Sequence, residues 1–219
     1  MIKIENMSFG YDLTCPMLLK DINLDIPKGT YLSIVGENGS CKTTLIKLIL
    51  GLIKPVSGEI NVDTNNIAYV PQRVDNFNDD FPISVFEILK THAKALKLNV
   101  KESVNDVLDK VNMTSFKNNL IGNLSGGQQQ RIFIARALMG KPDLIILDEP
   151  STGVDNKNQK EIYSLLKEIN DVYGTTIISI EHNMDVALKY SSHILKVQDG
   201  KLTLNSCEEY EKEISVTGA

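Results

Sequence analysis

The sequence predicts an α/β fold in which a core built on parallel strands carries an antiparallel β subdomain and a helical insert subdomain. The apolar run Tyr31–Val35 is followed by a Gly-rich loop and an amphipathic segment, which is a strand–loop–helix order. Leu144–Leu147 is a continuous apolar run, as expected of a strand buried on both faces. Between about residues 73 and 139 the apolar positions recur with helical spacing instead. We therefore predict a core at about residues 1–72 and 140–219, interrupted by the helical subdomain.

The composition fits one soluble globular domain over residues 1–219 and argues against nucleic acid as a partner. The chain carries a net charge of −5, and 42% of its residues are hydrophobic. Binding a phosphate backbone needs clustered Lys and Arg, which this acidic sequence does not have. The three cysteines form no Cys-x-x-Cys pair, so we expect reduced thiols rather than a disulfide framework. The longest apolar runs are too short to cross a bilayer.

The N-terminal part of the chain alternates short strands with turns. Ile2–Glu5 and Ile22–Ile26 alternate apolar and polar residues, which is typical of half-buried strands. Pro27–Gly29 predicts a turn into the Tyr31–Val35 strand. Two further short strands are predicted at Glu59–Val62 and Ile67–Val70.

The loop after the Tyr31–Val35 strand has the residues of a phosphate-binding loop, and a helix is predicted from about Lys42 to Leu50. Backbone N–H groups of such a loop surround phosphate oxygens, and the positive end of the helix dipole adds to the attraction. Lys42 would reach the β- and γ-phosphates, and the Thr43 hydroxyl would ligate Mg²⁺. The residues expected to contact the nucleotide are Gly36, Asn38, Gly39, Ser40, Cys41, Lys42, Thr43 and Thr44.

Cys41 stands where the pattern G-x-x-x-x-G-K-[ST] has glycine. Glycine permits dihedral angles and close backbone approaches that a Cβ forbids, so we expect a lower nucleotide affinity than in a Cys41→Gly variant. A thiol at a helix N-terminus beside Lys42 is also expected to lean toward the thiolate and to be reactive. We expect ATP to protect Cys41 from alkylation.

The helical insert carries two signals for helix starts. Ser84 and Glu87 predict a capping box for a helix that runs towards Leu98, and a second helix is predicted at Glu102–Val111. Ser125 and the two glycines after it open a third helix, whose N-terminus offers N–H groups and a hydroxyl to an anion.

Two carboxylates, Asp148 and Glu149, directly follow the Leu144–Leu147 strand. Ligands of parallel α/β sheets bind at the carboxyl ends of strands, so Asp148 would face Mg²⁺ and Glu149 could activate water as a general base. Taken alone, the pattern is more typical of an ordinary strand that ends in solvated acids.

The remaining chain alternates helices and strands. The predicted elements are a helix at about Asn158–Val172, the strand Thr176–Ile180, a helix at about Met184–Tyr190, and short strands near Ile194–Val197 and Lys201–Leu204. The polar residues after Tyr210 are expected to fray.

Leu124–Gln128 resembles the signature motif of ABC transporter ATP-binding subunits, and the resemblance extends over nearly the whole chain. Tyr69–Gln72 is placed like the Q-loop of that family, and Ser151–Asp155 is placed like its D-loop. His182 resembles the switch histidine, and Tyr11 resembles the aromatic residue that stacks on adenine. The resemblance implies a P-loop NTPase core of the RecA-like type that hydrolyses ATP with Mg²⁺.

The resemblance also implies the roles of individual residues. The catalytic residues would be Glu149, His182 and Gln72. The Mg²⁺ ligands would be Thr43, Gln72 and Asp148. In a head-to-tail homodimer, each ATP would also be contacted by residues of the other copy, namely Ser125, Gly126, Gly127, Gln128 and Asp155.

Within the family, Tyr69–Arg73, Phe81–Val85 and Glu149–Asp155 resemble zinc and manganese uptake ATPases. This resemblance implies a subunit at the cytoplasmic face of the cell membrane, with an integral membrane permease as its partner and a metal-binding solute-binding lipoprotein in the same system. The helical insert would meet the permease.

Three alternatives remain open at this point. The first is a cassette that binds ATP but hydrolyses it poorly because of Cys41. The second is an ABC ATPase for another transported substrate. The third is a soluble ABC protein that acts on ribosomes or DNA, which the single cassette and the acidic balance disfavour.

Overall fold

The computed structural model of the chain describes residues 1–12, 16–72 and 82–217, with side chains described as far as residue 214. The strands in these ranges are β1 (Ile2–Phe9), β2 (Leu19–Ile26), β3 (Tyr31–Val35), β4 (Ser57–Val62), β5 (Ile67–Val70), β6 (Leu144–Leu147), β7 (Thr176–Ile180), β8 (His193–Gln198) and β9 (Lys201–Ser206). The α-helices are α1 (Lys42–Ile49), α2 (Val85–Ala95), α3 (Val100–Lys110), α4 (Gly126–Leu138), α5 (Asn156–Tyr173), α6 (Met184–Tyr190) and α7 (Cys207–Thr217). No helix in the described ranges has both the length and the apolar character that a membrane span needs.

The chain divides into two compact units. Unit 1 consists of Met1–Asn65 and Lys167–Ala219, and unit 2 consists of Asn66–Leu166. The predicted division into a core and a helical subdomain remains a prediction. Among the residues that carry the resemblance to metal-uptake ATPases, Arg73 and Phe81 lie outside the described residues, as does Cys15.

Unit 1 contains an antiparallel sheet in the order β2-β1-β4. In β1, Ile2 pairs with Ile26 of β2 and with Val62 of β4. Ile2 and Ile4 are buried while Lys3 is exposed, as the alternating pattern predicted. The antiparallel subdomain predicted from the N-terminal strands is thus present.

Unit 1 also contains parallel strands that bring two loops to one edge. β3 lies between β7 and β8 and is parallel to both, and β9 pairs antiparallel with β8. Every residue of β3 and β7 is buried, as apolar runs inside a covered parallel sheet should be. Ile34 of β3 pairs with Ile180 of β7, so the chain leaves both strands at the same edge. The Gly-rich loop and His182 follow there.

Unit 2 contains β5 parallel to β6, together with the helices of the insert. Val70 pairs with Leu147, and the Asp148 N–H donates to the Val70 carbonyl at 2.9 Å. The predicted capping box of α2 is confirmed, since the Ser84 hydroxyl accepts from the Glu87 N–H and the Glu87 carboxylate accepts from the Ser84 N–H. Local capping chemistry therefore sets the start of this helix, as its sequence indicated.

The prediction that the residues after Tyr210 fray is wrong, because α7 covers Cys207–Thr217. The Ser206 N–H and hydroxyl both donate to Glu209 at 2.9 Å, and the Glu209 N–H donates back to the Ser206 hydroxyl. Tyr210 packs into a buried cluster with three residues of the parallel-strand region: Val35, Ala187 and Ile194. A reciprocal cap and one buried aromatic ring thus stabilise a helix that is mostly polar in composition.

Replacing the cap of α7 should lower the stability of the chain. We expect Ser206→Ala to reduce the free energy of unfolding by about 1 kcal/mol, the usual effect of losing a hydroxyl N-cap. Ser206→Thr keeps the hydroxyl and serves as the matched control. Urea unfolding followed by far-ultraviolet circular dichroism measures both, and equal midpoints for the alanine and threonine variants would contradict the prediction.

Candidate functional site

Lys42 is buried beneath the loop that follows β3. Its side chain is only 6% exposed, and its ammonium donates to the carbonyl oxygens of Gly36 at 2.8 Å and Glu37 at 2.9 Å. These carbonyl oxygens fix the position of the ammonium, so the loop holds a positive charge in place. A cation held in this way suits an anionic ligand.

The path of the loop requires glycine at Gly36. Its φ is +155°, and a Cβ there would overlap the Val197 carbonyl oxygen and lie 2.8 Å from the Ser40 hydroxyl oxygen. That hydroxyl oxygen is buried, and none of the described residues forms a hydrogen bond with it. A phosphate oxygen is a suitable partner for it, so the residues present fit a phosphate group.

The loop lines a cavity of about 600 Å³. The cavity is bounded by residues 36–41 of the loop, residues 196–200 of the β8–β9 hairpin, and Leu18. A volume of this size lies within the range of small-molecule sites. Its lining carries charges of both signs, from Lys196 and from the acidic residues Glu37 and Asp199.

Tyr11 lies beside the start of α1, where the resemblance predicted an aromatic residue. Its hydroxyl is 3.1 Å from the Thr44 hydroxyl, and its ring meets the Phe9 ring edge-on at 5.1 Å. Phe9 is buried whereas Tyr11 is 67% exposed. The Tyr11 ring is thus anchored at one edge while much of its surface stays accessible to a flat ligand.

Cys41 occupies a glycine-type conformation, with φ 75° and ψ 20°, directly before α1. The prediction that a Cβ stands where the backbone favours glycine is confirmed. The prediction of a thiolate is wrong, because burial raises the pKa of the Cys41 thiol. The neighbouring ammonium of Lys42 binds backbone carbonyls, and the Cys41 thiol donates to the Gly39 carbonyl at 3.8 Å.

Glu149 and Gln72, two of the predicted catalytic residues, meet in unit 2. The Gln72 side-chain amide donates to the Glu149 carboxylate at 2.6 Å, and the Thr152 hydroxyl donates to the same oxygen at 2.9 Å. Glu149 itself has φ 51°, a conformation that costs a non-glycine residue energy and is found often at functional sites. Thr152 was not predicted, since its contact depends on the turn after β6.

Asp148 is a buried carboxylate at the end of β6, with 5% of its surface exposed. The Tyr69 hydroxyl forms a hydrogen bond with it, and the pKa of Tyr69 is raised by burial and then by the charge of Asp148. Asp148 and Gln72 of unit 2 carry oxygen ligands of the kind that Mg²⁺ prefers, and so does the exposed Thr43 of unit 1. Among the described residues, no group of three or more His, Cys, Asp or Glu side chains could hold a metal ion.

Ser125 caps α4, as predicted. Its hydroxyl accepts from the Gln128 N–H at 3.3 Å, and its N–H donates to the Gln128 side chain at 2.9 Å. A hydroxyl that accepts one hydrogen bond keeps its own proton for another acceptor. Gln129, which the sequence did not single out, is buried and donates to the carbonyls of Ile121 and Leu124, which fixes the backbone that leads into the cap.

Asp155 and His182 lie in different units. Asp155 of unit 2 accepts from the Asn158 side chain at 2.6 Å, and this bond is the main reason why the pKa of Asp155 is lowered. His182 of unit 1 is exposed and follows Glu181, whose N–H donates to the Ile34 carbonyl at 3.0 Å. The predicted residues therefore form two local groups. One contains the loop, Tyr11 and His182, and the other contains the acids with the Q-loop, signature and D-loop residues.

The chain is similar over most of its length to known proteins. The family model described as ABC transporter matches residues 19–152. A probable metal transport system ATP-binding protein of Treponema pallidum is 42% identical over 97% of this chain and 89% of its own. A zinc uptake system ATP-binding protein of Listeria monocytogenes is 36% identical over 96% of this chain and 88% of its own. A solved dimeric ATP-binding cassette in a post-hydrolysis state, bound to ADP and Pi, is 28% identical, with a TM-score of 0.78 over 94% of this chain and 99% of that one.

Replacing Cys41 by glycine should relieve backbone strain. The left-handed conformation costs an L-residue roughly 1–2 kcal/mol, and part of this is offset by the larger backbone entropy of glycine in the unfolded chain. We expect Cys41→Gly to raise the free energy of unfolding by about 1 kcal/mol and to tighten nucleotide binding. Cys41→Ala keeps the Cβ and is the control in urea unfolding and titration with a fluorescent ATP analogue. An equal gain in the alanine variant would count against backbone strain as the cause.

The raised pKa of Cys41 should make its alkylation slow at neutral pH. Because burial disfavours the thiolate, the reactive fraction at pH 7 is smaller than for an ordinary thiol, whose pKa is about 8.5. In a Cys15→Ser, Cys207→Ser background, we expect the rate of Cys41 alkylation by iodoacetamide to increase with pH, with a midpoint above that value. We expect saturating ATP to lower this rate. A midpoint below it, or a rate unaffected by ATP, would contradict these expectations.

Proposed function

The chain belongs to the ABC transporter family as an ATP-hydrolysing subunit, and from this premise we propose that it powers the uptake of a divalent metal ion, zinc or manganese, through a partner permease. The observation that carries the ATPase role is the Glu149 carboxylate held by Gln72 and Thr152 at the end of β6. The names of the relatives from Treponema pallidum and Listeria monocytogenes support the metal.

We assign the binding of ATP to the loop of unit 1. The Lys42 ammonium would meet the β- and γ-phosphates, the Ser40 hydroxyl would gain a phosphate acceptor, and the Tyr11 ring would stack on adenine. Thr43 and Asp148 with Gln72 would hold Mg²⁺, which supplies charge neutralisation on the phosphate oxygens when bound. Of these residues, Ser40 lines the cavity beside the loop.

The chemical step is assigned to Glu149 as general base on the attacking water. Its carboxylate accepts hydrogen bonds from Gln72 and Thr152 on one oxygen, so the side chain has a fixed orientation. Gln72 would couple this base to Mg²⁺, and His182 would contact the γ-phosphate. Orientation of a general base by neighbouring donors is how such groups contribute to rate.

The dimer completes the site in this proposal. Ser125–Gln128 and Asp155 of one copy would contact the ATP held by the loop of the other, as a helix N-terminus with a donating hydroxyl can do for a phosphate. The dimeric relative bound to ADP and Pi supports this arrangement. A permease bound by the helical insert, a metal-binding lipoprotein and a place at the cytoplasmic face of the membrane belong to the same proposal.

Removing the base should separate binding from turnover. We expect Glu149→Gln to lower the ATPase kcat by about 100-fold or more, because a positioned general base contributes 10²–10⁴-fold, while ATP affinity is kept. Lys42→Ala should lose ATP affinity instead. Glu208→Gln, at an exposed glutamate of α7, is the matched control and should leave both values unchanged.

The transport assignment is tested with the permease in vesicles. Zinc or manganese should stimulate turnover of the complex, and Glu149→Gln should abolish metal uptake. If the purified chain hydrolyses ATP but no divalent metal ion stimulates hydrolysis by the complex, the ATPase activity stands and the proposed substrate is refuted. Turnover unaffected by Glu149→Gln would refute the assigned base.

A further inference from the structure

Asn158, on the first turn of α5, bonds to residues of two different motifs. Its side-chain oxygen accepts from the Arg131 guanidinium at 2.7 Å, and Arg131 lies on α4 behind the signature residues. Its side-chain nitrogen donates to the Asp155 carboxylate at 2.6 Å, at the end of the D-loop segment (Ser151–Asp155). Arg131 also pairs with Glu161, one turn further along α5. One amide therefore connects a cation on the signature helix with an anion on the D-loop segment.

This position requires an amide. The side chain must accept from a guanidinium at one end and donate to a carboxylate at the other, and a carboxylate or a hydrocarbon cannot do both. Both bonds are charge-assisted, and bonds in such a chain polarise one another. A side chain without an amide at residue 158 would remove the direct link between Arg131 and Asp155, leaving the Arg131–Glu161 pair and the backbone N–H groups at the start of α5 that donate to Asp155.

The backbone of the signature also packs against this residue. A Cβ built on Gly127 would lie 2.5 Å from the Asn158 Cβ and 3.1 Å from Val154 Cγ1. Non-bonded carbon atoms do not approach as closely as 2.5 Å, so any side chain at residue 127 would push α5 and the D-loop segment away. The second glycine of the signature thus allows direct contact with Asn158.

The other end of the D-loop segment is fixed to α5 as well. The Ser151 hydroxyl receives hydrogen bonds from the Gln159 side chain at 2.9 Å and from the Tyr163 hydroxyl at 2.8 Å. The segment is therefore held at both ends by the first turns of one helix. Asn158 is the residue that also reaches the signature helix.

We infer that Asn158 is a positioning residue that makes the signature helix and the D-loop segment move as one body. The inference rests on the proposed function, in which both motifs of one copy contact the ATP held by the other. An Asn158 variant should then bind ATP normally at the Lys42 loop but close the dimer poorly, since the two motifs would no longer be presented in a fixed relation.

The test compares Asn158→Ala with Asn105→Ala. Asn105 also accepts a hydrogen bond from a cation on the same unit, Lys117 at 2.8 Å, which makes it a matched control. Nucleotide affinity is measured with a fluorescent ATP analogue, ATP-driven dimerisation is measured by light scattering in a Glu149→Gln background, and turnover is measured without that substitution. Amide hydrogen exchange reports on residues 151–155 and on the start of α4.

For Asn158→Ala we expect unchanged nucleotide affinity, with ATP-driven dimerisation and kcat each lowered about tenfold or more, because the variant loses two charge-assisted hydrogen bonds and one alone is worth about that much. Amide hydrogen exchange should be faster in residues 151–155 and in the first turn of α4. Arg131→Gln should give a similar loss, and the double variant should lose no more than either single variant, because both remove the same link. Asn105→Ala should change none of these values.

Dimerisation and kcat within twofold of the unaltered chain, with unchanged exchange at residues 151–155, would overturn the inference. Nucleotide affinity that falls in parallel with dimerisation would also overturn it, because general damage to the fold would then be the cause. If the Glu149→Gln chain itself does not dimerise with ATP, the proposed function fails. In that case, amide hydrogen exchange of the Asn158→Ala variant in the D-loop segment and in α4 still decides whether Asn158 links them.

Discussion

The candidate site depends on the burial of one cation, the Lys42 ammonium under the loop that follows β3. Taking a charge out of water is costly, and the hydrogen bonds that the ammonium donates to the carbonyl oxygens of Gly36 and Glu37 offset part of this cost. The loop keeps the arrangement because Gly36 approaches the β8–β9 hairpin more closely than a Cβ allows. A cation fixed in this way supports the proposed role of the loop in binding phosphate.

At Glu149, a strained backbone is combined with hydrogen bonds to the side chain. Glu149 adopts a backbone conformation that few non-glycine residues accept, and its carboxylate is then held by Gln72 and Thr152. Energy stored in the backbone is tolerated where side-chain bonds over-determine the geometry. The Glu149 carboxylate is thus held in a fixed orientation, which in its proposed role as a general base would limit the reorganisation that catalysis requires.

Features encoded by neighbouring residues could be predicted from the sequence, and features that depend on distant contacts could not. The caps at Ser84 and Ser125 and the buried strand β6 follow from local patterns, and the structure confirms them. The contacts of Thr152 and Gln129 depend on how a turn or a loop is folded, so residue type gave no signal for them. The helix α7 had a local signal, the Ser-x-x-Glu spacing of its cap, but its polar composition concealed it.

The packing of Tyr210 has a practical consequence for handling the protein. Its ring contacts the cluster that includes Val35, the residue immediately before the phosphate-binding loop. A C-terminal affinity tag or a shortened expression clone that unwinds α7 would remove support from beneath that loop. Weak nucleotide binding by such a preparation would then reflect the cloning boundary rather than the chemistry of the native chain.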